Sequence, residues 1–334
     1  MTSPLISVKD LTLRFKTDEG LVTAVEEVSF DIAAGEVLGL VGESGSGKSV
    51  TAKSLMLLNP DNAVYDPKSS ITLNVDDKAY DVLSLSNSKD LMIVRGGSIS
   101  MIFQEPMASF APAISIGDQM VEQLLIHSDM NKARAKEISI EMLARVGIPD
   151  PAQRFGQYAF EFSGGMRQRA MIAMALSTKP RLLIADEPTT ALDVTIQAQV
   201  IDLMKDLVKE FHMGILFITH DLGVIAQTAD KVAVMYLGKL IEKGEVRQVL
   251  RNPLHPYTQG LLHALPRLDD LDTPLTPVKG DIPSPLDRPT GCVFNTRCPV
   301  TLGNDCETRV PIYTTREDGQ QVACLLAEKE GAPA

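Results

Sequence analysis

The chain has 334 residues, of which 44% are hydrophobic and 22% are charged. This length and composition allow a packed core in one large domain or two smaller ones, and they exclude a disordered or fibrous protein. Asp and Glu outnumber Lys and Arg by 43 to 32, so the net charge of −11 argues against nucleic-acid binding through a broad basic surface. No apolar run reaches the roughly 18 residues that cross a bilayer, and the first residues lack a signal-peptide pattern. We therefore expect a soluble cytoplasmic protein.

Three segments near the start of the chain alternate apolar and polar side chains, at residues 6–8, 11–15 and 28–32. A period of two is typical of strands with one exposed face, and such strands are usually antiparallel. The sequence therefore predicts an N-terminal antiparallel β subdomain.

Continuously apolar runs follow, at residues 37–41, 182–185 and 215–218. Such runs predict strands buried on both faces of a sheet. Helical patterns lie between them, at residues 133–146, 166–177 and 195–211. Strands that alternate with helices indicate an α/β domain with a mostly parallel sheet.

Residues 42–49 read G-E-S-G-S-G-K-S, directly after the apolar run 37–41 and before a helix-like stretch at residues 50–58. They fit the pattern G-x-x-x-x-G-K-[ST], in which glycines let successive backbone N–H groups face a phosphate and the following helix adds its positive end. Lys48 is expected to reach the β- and γ-phosphates, and the Ser49 hydroxyl to bind Mg²⁺. The predicted nucleotide contacts are Gly42, Glu43, Ser44, Gly45, Ser46, Gly47, Lys48, Ser49 and Val50.

Polar side chains also follow the other buried strands. Asp186 and Glu187 end one strand, at the sheet edge where open α/β folds carry ligands. We expect Asp186 to contact Mg²⁺ through a water molecule, and Glu187 to polarise a water toward the γ-phosphate. His220 and Gln104 follow two further strands, and they are candidates for a γ-phosphate contact and for a Mg²⁺ or water contact. Taken singly, such residues are more often solvated acids or structural hydrogen-bonding groups.

The segment Phe162-Ser163-Gly164-Gly165-Met166 precedes the strand that carries Asp186. It resembles the signature of the ATP-binding cassette (ABC) ATPases, usually LSGGQ, with Phe and Met replacing Leu and Gln. The order of motifs matches this family from residue 5 to about 250, and it includes residues 190–193, which end at Asp193. The resemblance implies a P-loop NTPase of the ABC type, with a RecA-like parallel core and a helical subdomain over about residues 105–165.

The start of the predicted helix after the signature is suited to bind an anion, because Ser163 is a good N-cap and the two glycines leave backbone N–H groups open. No phosphate of the same subunit is expected at this position. The resemblance implies a head-to-tail dimer in which the signature closes over the γ-phosphate bound by a partner. The nucleotide-contacting residues implied in this way are Ser163, Gly164, Gly165, Gln168 and Asp193. Phe15 is the candidate for stacking on adenine, and it could equally be a core residue.

Only 58 residues separate Gln104 from Ser163, and the chain has one cassette without heptads. These features favour a transporter subunit over chromosome-maintenance and translation-type relatives. Residues 252–266 and 291–299 resemble the C-terminal region of the bacterial oligopeptide/dipeptide permease branch. The resemblance implies two transmembrane permease subunits, a second and related ATPase as dimer partner, an extracytoplasmic solute-binding protein, and a place on the cytoplasmic face of the inner membrane. The alternative is a soluble nucleotide-gated regulatory or redox-sensing ATPase.

All four cysteines, Cys292, Cys298, Cys306 and Cys324, lie in a proline-rich extension after a predicted domain boundary near residue 250. This boundary gives a cassette over residues 1–250 and an extension over residues 251–334. Disulfides are disfavoured in the cytoplasm, and a zinc site usually has a tight C-x2-4-C pair that is missing from the spacing C-x5-C-x7-C-x17-C. Four thiolates suit a [4Fe–4S] cluster, as the resemblance also implies, with zinc as the runner-up and free structural thiols third.

Overall fold

The computed structural model describes residues 3–105, 109–189, 194–265 and 278–330. The strands are β1 (Ile6–Thr17), β2 (Gly20–Ile32), β3 (Val37–Val41), β4 (Ala63–Tyr65), β5 (Ser70–Val75), β6 (Lys78–Asp81), β7 (Ile99–Ile102), β8 (Leu182–Asp186), β9 (Gly214–Thr219), β10 (Lys231–Tyr236), β11 (Lys239–Glu245), β12 (Tyr313–Thr315) and β13 (Gln321–Ala323). The helices are α1 (Lys48–Ser54), α2 (Ser88–Val94), α3 (Ile116–His127), α4 (Lys132–Arg145), α5 (Pro151–Arg154), α6 (Gly164–Ser177), α7 (Val194–Phe211), α8 (Leu222–Thr228), α9 (Val246–Arg251), α10 (Pro256–His263), α11 (Asn304–Thr308) and α12 (Leu325–Glu330).

The chain divides into two compact units. Unit 1 comprises Met1–Ile6, Ile32–Glu36 and Thr72–Ile218, and unit 2 comprises Ser7–Asp31, Val37–Ile71 and Thr219–Ala334. Each unit is therefore assembled from separate stretches of the chain.

In unit 1, strand β8 pairs in parallel with β7 on one side and with β9 on the other. Every residue of these three strands is buried, because helices cover parallel strands on both faces. The predicted strands at residues 182–185 and 215–218 are thus confirmed. The predicted helices at residues 133–146, 166–177 and 195–211 are also confirmed, as α4, α6 and α7.

The helical part of unit 1 is built around α3 and α4. Val121 and Leu124 on α3 pack with Ala135 on α4 and with Phe155, which directly follows α5. The side chain of Ser115 caps α3 and that of Asn131 caps α4, so each helix begins at a residue type that satisfies an open backbone N–H.

In unit 2, β10 pairs in parallel with β3 and antiparallel with β11. Strand β13 pairs antiparallel with β11, and β12 pairs antiparallel with β13. The N-terminal strand β1 lies beside β2 and pairs antiparallel with β4, which confirms the β structure predicted there. The boundary near residue 250 stays a prediction, although β13, which follows it, belongs to the same ladder as β11, which precedes it.

Helix α1 begins two residues earlier and ends earlier than the helix-like stretch at residues 50–58 predicts. Leu57 has a left-handed backbone with φ of 52°, which a helix cannot contain. Among the described residues, no helix combines the length and the apolar character that crossing a membrane requires.

Candidate active site

The phosphate loop leaves the buried strand β3 and enters α1 in unit 2. Gly42 and Gly47 have φ angles of 156° and 102°, in the region that favours glycine. A Cβ on Gly42 would lie 2.2 Å from the carbonyl oxygen of Met235, and one on Gly47 would lie 2.7 Å from that of Ala24. Both positions therefore require glycine, and the loop has the tight backbone that the sequence predicts.

Lys48 is folded back onto this loop. Its side chain is buried, and its Nζ donates hydrogen bonds to the carbonyl oxygens of Gly42, at 2.7 Å, and Glu43, at 3.0 Å. Ser49 follows as the second residue of α1 and is half-buried. The ammonium group therefore lies at the mouth of the loop whose N–H groups are expected to receive phosphate.

Two further predicted residues belong to unit 2. Phe15, on β1, is half-buried, so it is neither a core residue nor fully exposed. His220 directly follows β9 and is exposed.

The acidic pair lies at the end of β8 in unit 1. Asp186 is the last residue of the strand and is buried, and Glu187 has a left-handed backbone with φ of 47°. Gln104 Nε2 donates a hydrogen bond of 3.1 Å to Glu187 Oε2. The structure thus brings Gln104 and Glu187 together, although they lie 83 positions apart in sequence. Strained backbone of this kind is common at functional sites.

The signature segment forms the start of α6. Ser163 is the N-cap, and its hydroxyl accepts the N–H of Met166 at 3.3 Å. Gly164 is exposed, and a Cβ there would meet nothing within 4 Å. Gln168 is buried and donates a hydrogen bond of 2.5 Å to the carbonyl oxygen of Pro188, so it ties α6 to the chain just after Glu187. Asp193 lies outside the described residues.

The four cysteines of the extension are free thiols, and Cys292, Cys306 and Cys324 are buried. Within the described residues, no three His, Cys, Asp or Glu side chains are arranged so that they could hold a metal ion. The expected metal centre is therefore not supported. Burial raises the pKa of Cys292 to about 11, and the neighbouring thiols add to this shift.

Sequence reasoning missed two residues that contact the phosphate loop. Arg297 forms a salt bridge with Glu43, and the Tyr257 hydroxyl accepts the backbone N–H of Glu43 at 2.9 Å. Both residues lie in the segments that resemble the permease branch. The only signal for Arg297 in the sequence is a cationic side chain next to Cys298, and no motif indicates that Glu43 is its partner.

The comparisons with known proteins agree with this geometry. Residues 25–190 match the family model "ABC transporter", and residues 241–306 match "Oligopeptide/dipeptide transporter, C-terminal region". The oligopeptide transport ATP-binding protein AppD of Bacillus subtilis is 46% identical over 99% of this chain and 99% of its own length. The oligopeptide transport ATP-binding protein OppD of Salmonella typhimurium is 49% identical over 98% of this chain and 95% of its own length.

Solved structures show the same fold. The ATP-binding cassette MJ0796, bound to ADP and Pi in a dimeric post-hydrolysis state, superposes with a TM-score of 0.63 at 23% identity, over 72% of this chain and 99% of its own. The structure of cbiO1 from Clostridium perfringens gives a TM-score of 0.62 at 24% identity, over 75% of this chain and 92% of its own. The phosphate loop, the Gln104–Glu187 pair and the near full-length identity lead to one conclusion: the chain belongs to the ATP-binding subunits of ABC transporters, in the oligopeptide/dipeptide branch.

Proposed function

We propose that this chain binds and hydrolyses ATP to drive the import of peptides. The phosphate loop after β3 carries the proposal, because its left-handed glycines and its buried Lys48 form a nucleoside triphosphate site. The peptide cargo is supported by the oligopeptide and dipeptide transport proteins that this chain resembles over almost its whole length. A soluble regulatory or redox-sensing ATPase is not favoured, because that likeness extends through the cysteine-containing region.

The chemistry is divided among named side chains. Lys48 contacts the β- and γ-phosphates, and His220 contacts the γ-phosphate. The oxygen atoms of Ser49, Gln104 and Asp186 are the donors that Mg²⁺ prefers, and the ion neutralises phosphate charge when it is bound. Glu187 orients the attacking water and accepts its proton, while Gln104 holds the Glu187 carboxylate in place.

The start of α6 supports a dimer, because it is capped by Ser163 and is exposed at Gly164. Ser163 and the exposed Gly164 present backbone N–H groups at a helix N-terminus, which attracts anions. In the proposed assembly these groups, with Gly165, Gln168 and Asp193, meet the nucleotide of a second and related ATPase subunit. Phe15 stacks on the adenine ring.

The remaining partners follow from transport. Two transmembrane permease subunits hold the pair of ATPases at the cytoplasmic face of the inner membrane, and an extracytoplasmic solute-binding protein delivers the peptide. The helical part at about residues 105–165 binds the permease. The cassette spans residues 1–250, and the extension spans residues 251–334.

Two variants of the reconstituted transporter test this function, with the partner ATPase site disabled so that it does not hide the loss. Lys48→Ala is expected to abolish ATP binding, because the phosphate charge loses its main counter-charge. Glu187→Gln is expected to bind ATP, to trap the closed dimer and to lose at least about 100-fold in hydrolysis rate. Normal hydrolysis by Glu187→Gln would contradict the role given to Glu187.

For the extension, we propose that Cys292, Cys298, Cys306 and Cys324 hold a [4Fe–4S] cluster, with zinc as the runner-up. Support comes from the donor set and from backbone N–H groups directed at sulfur, such as the bond of 3.4 Å from Leu302 N to Cys306 Sγ. Ligation requires the four thiols to lose their protons and to move into a coordinating arrangement. Anaerobic purification with iron and acid-labile sulfide analysis tests this assignment, and a colourless protein with one zinc would contradict it.

A further inference from the structure

Glu43 is the one acidic residue of the phosphate loop at residues 42–49. A carboxylate in a loop that receives a polyphosphate repels its ligand unless a cation neutralises it. The structure supplies that cation from the far end of the chain. Arg297 Nη1 lies 2.6 Å from Glu43 Oε2, and Arg297 Nη2 lies 3.1 Å from Glu43 Oε1. Both carboxylate oxygens are therefore engaged in a two-point ion pair.

Arg297 is held in place by contacts within the protein itself. Its side chain is only 4% exposed, and it also donates to the carbonyl oxygens of Lys279, at 3.0 Å, and Val278, at 3.3 Å. Its guanidinium lies over the ring of Tyr236, 5.7 Å from the centroid. A guanidinium fixed by so many contacts is preorganised, so its pairing with Glu43 costs little additional side-chain entropy.

The backbone of Glu43 is fixed as well. Its N–H donates to the hydroxyl of Tyr257, and its carbonyl oxygen accepts from Lys48. Tyr257 is fully buried, and its ring packs against those of Tyr236 and Phe294. Carboxylate, N–H and carbonyl of this one residue are therefore all engaged, two of the three by side chains that follow residue 250.

We infer that Arg297 and Tyr257 are positioning residues for the phosphate loop, which fix the Glu43 peptide and cancel its charge so that the polyphosphate of a nucleoside triphosphate can bind. The inference rests on the proposed ATP site and adds that the affinity of this site depends on the C-terminal extension. Neither residue needs to touch the nucleotide.

The test compares Arg297→Gln with the wild type, with the binding of the fluorescent nucleotide TNP-ATP to the full-length subunit and KM and kcat of the reconstituted transporter as readouts. We expect Kd and KM to rise roughly tenfold with kcat nearly unchanged, which corresponds to about 1.4 kcal/mol. The increase should shrink at high salt, because it arises from an uncompensated charge. Arg297→Lys should retain part of the affinity.

A second substitution separates the effect of the Glu43 charge from a structural role of Arg297. Adding Glu43→Gln to Arg297→Gln removes the unpaired carboxylate, so the double variant should return to within about twofold of wild-type affinity. A purely structural role of Arg297 would leave the double variant as weak as the single one. The matched control is Arg309→Gln, which breaks the ion pair between the exposed Arg309 and the half-buried Glu328 in the same extension and should leave KM unchanged.

Tyr257→Phe covers the case in which Arg297→Gln does not fold, because it removes only the hydroxyl that accepts the Glu43 N–H. It should raise Kd severalfold and lower the thermal midpoint only slightly, because the ring packing is kept. Wild-type affinity in both Arg297→Gln and Tyr257→Phe would overturn the inference. Failure of the wild-type protein itself to bind TNP-ATP would instead overturn the proposed ATP site.

Discussion

His255 is buried at the N-terminus of α10, where its Nδ1 accepts the backbone N–H of Tyr257 at 3.0 Å. Burial lowers the pKa of this imidazole from 6.5 to about 3. The folded protein therefore resists a proton that the unfolded chain accepts. The stabilisation from neutral His255 is complete above about pH 6.5, and it is lost as the pH falls toward 3, at up to about 1.4 kcal/mol per pH unit.

His255→Asn tests this dependence. The Asn side chain can still cap α10, because it accepts a backbone N–H, but it does not titrate. Urea unfolding at about pH 7 and pH 5 should show a smaller loss of stability in the variant than in the wild type. Equal losses in the two proteins would show that His255 is not responsible for the acid sensitivity.

At this scale, sequence reasoning predicted residues whose position follows from the sheet. Gln104 and Glu187 each come directly after or near the end of a parallel strand, so the topology alone places them at one edge. Arg297 follows no such rule, because it lies in a short 3-10 turn at Asn295–Arg297. Its contact with Glu43 spans 254 positions and depends on irregular backbone, which no periodic pattern describes.

Helix α3 packs against Phe155, the residue after α5, at a point where one residue must be small. A Cβ on Gly117 would lie 2.3 Å from two ring atoms of Phe155, and the ring is fixed among the apolar side chains of this cluster. The close approach of α3 therefore depends on glycine, despite its low helix propensity.

Gly117→Ala should lower the free energy of unfolding by about 1–3 kcal/mol, because the Phe155 ring has to move. The matched control is Gly164→Ala, at the start of α6, where a Cβ has open space and stability should be unchanged or slightly increased. Thermal unfolding of the two variants checks the difference. A Gly117→Ala protein as stable as the control would show that the helix contact adjusts freely.

Element boundaries were harder to predict than element types. The run at residues 50–58 has helical spacing, yet α1 ends at Ser54 and Leu57 turns the chain with a left-handed backbone. Tertiary contacts override such local preferences. The spacing of apolar residues does not reveal which tertiary contacts a segment will make.

At the scale of the whole molecule, the buried carboxylate of Glu242 joins β11 to the chain that follows residue 250. It accepts the N–H groups of Leu254 and His255 and the side-chain amide of Gln320. Burial raises the pKa of Glu242, and these hydrogen bonds counteract that shift. A polar group buried in this way is costly unless it keeps its partners.

A chain that stops after residue 250 should therefore be unstable, even though the nucleotide motifs are complete by then. We expect most of it to appear in the insoluble fraction, whereas the full-length chain is recovered as folded protein. The control is Gln320→Ala in the full-length chain, which removes one partner of Glu242 and should only lower the unfolding midpoint. A soluble truncated chain that binds TNP-ATP with wild-type affinity would contradict both this expectation and the role of Arg297.

Strand β13 also covers the side of β11 that β10 leaves free, with Glu242 opposite Val322 and Lys243 opposite Gln321. An uncovered strand offers its N–H and C=O groups to any extended chain nearby. Because a ribosome makes β11 before β13, each newly synthesised copy passes through a period in which this strand has no cover. Protection against misassembly during synthesis thus depends on a segment that is translated well after β11, and a chain terminated before β13 should aggregate more readily than the full chain.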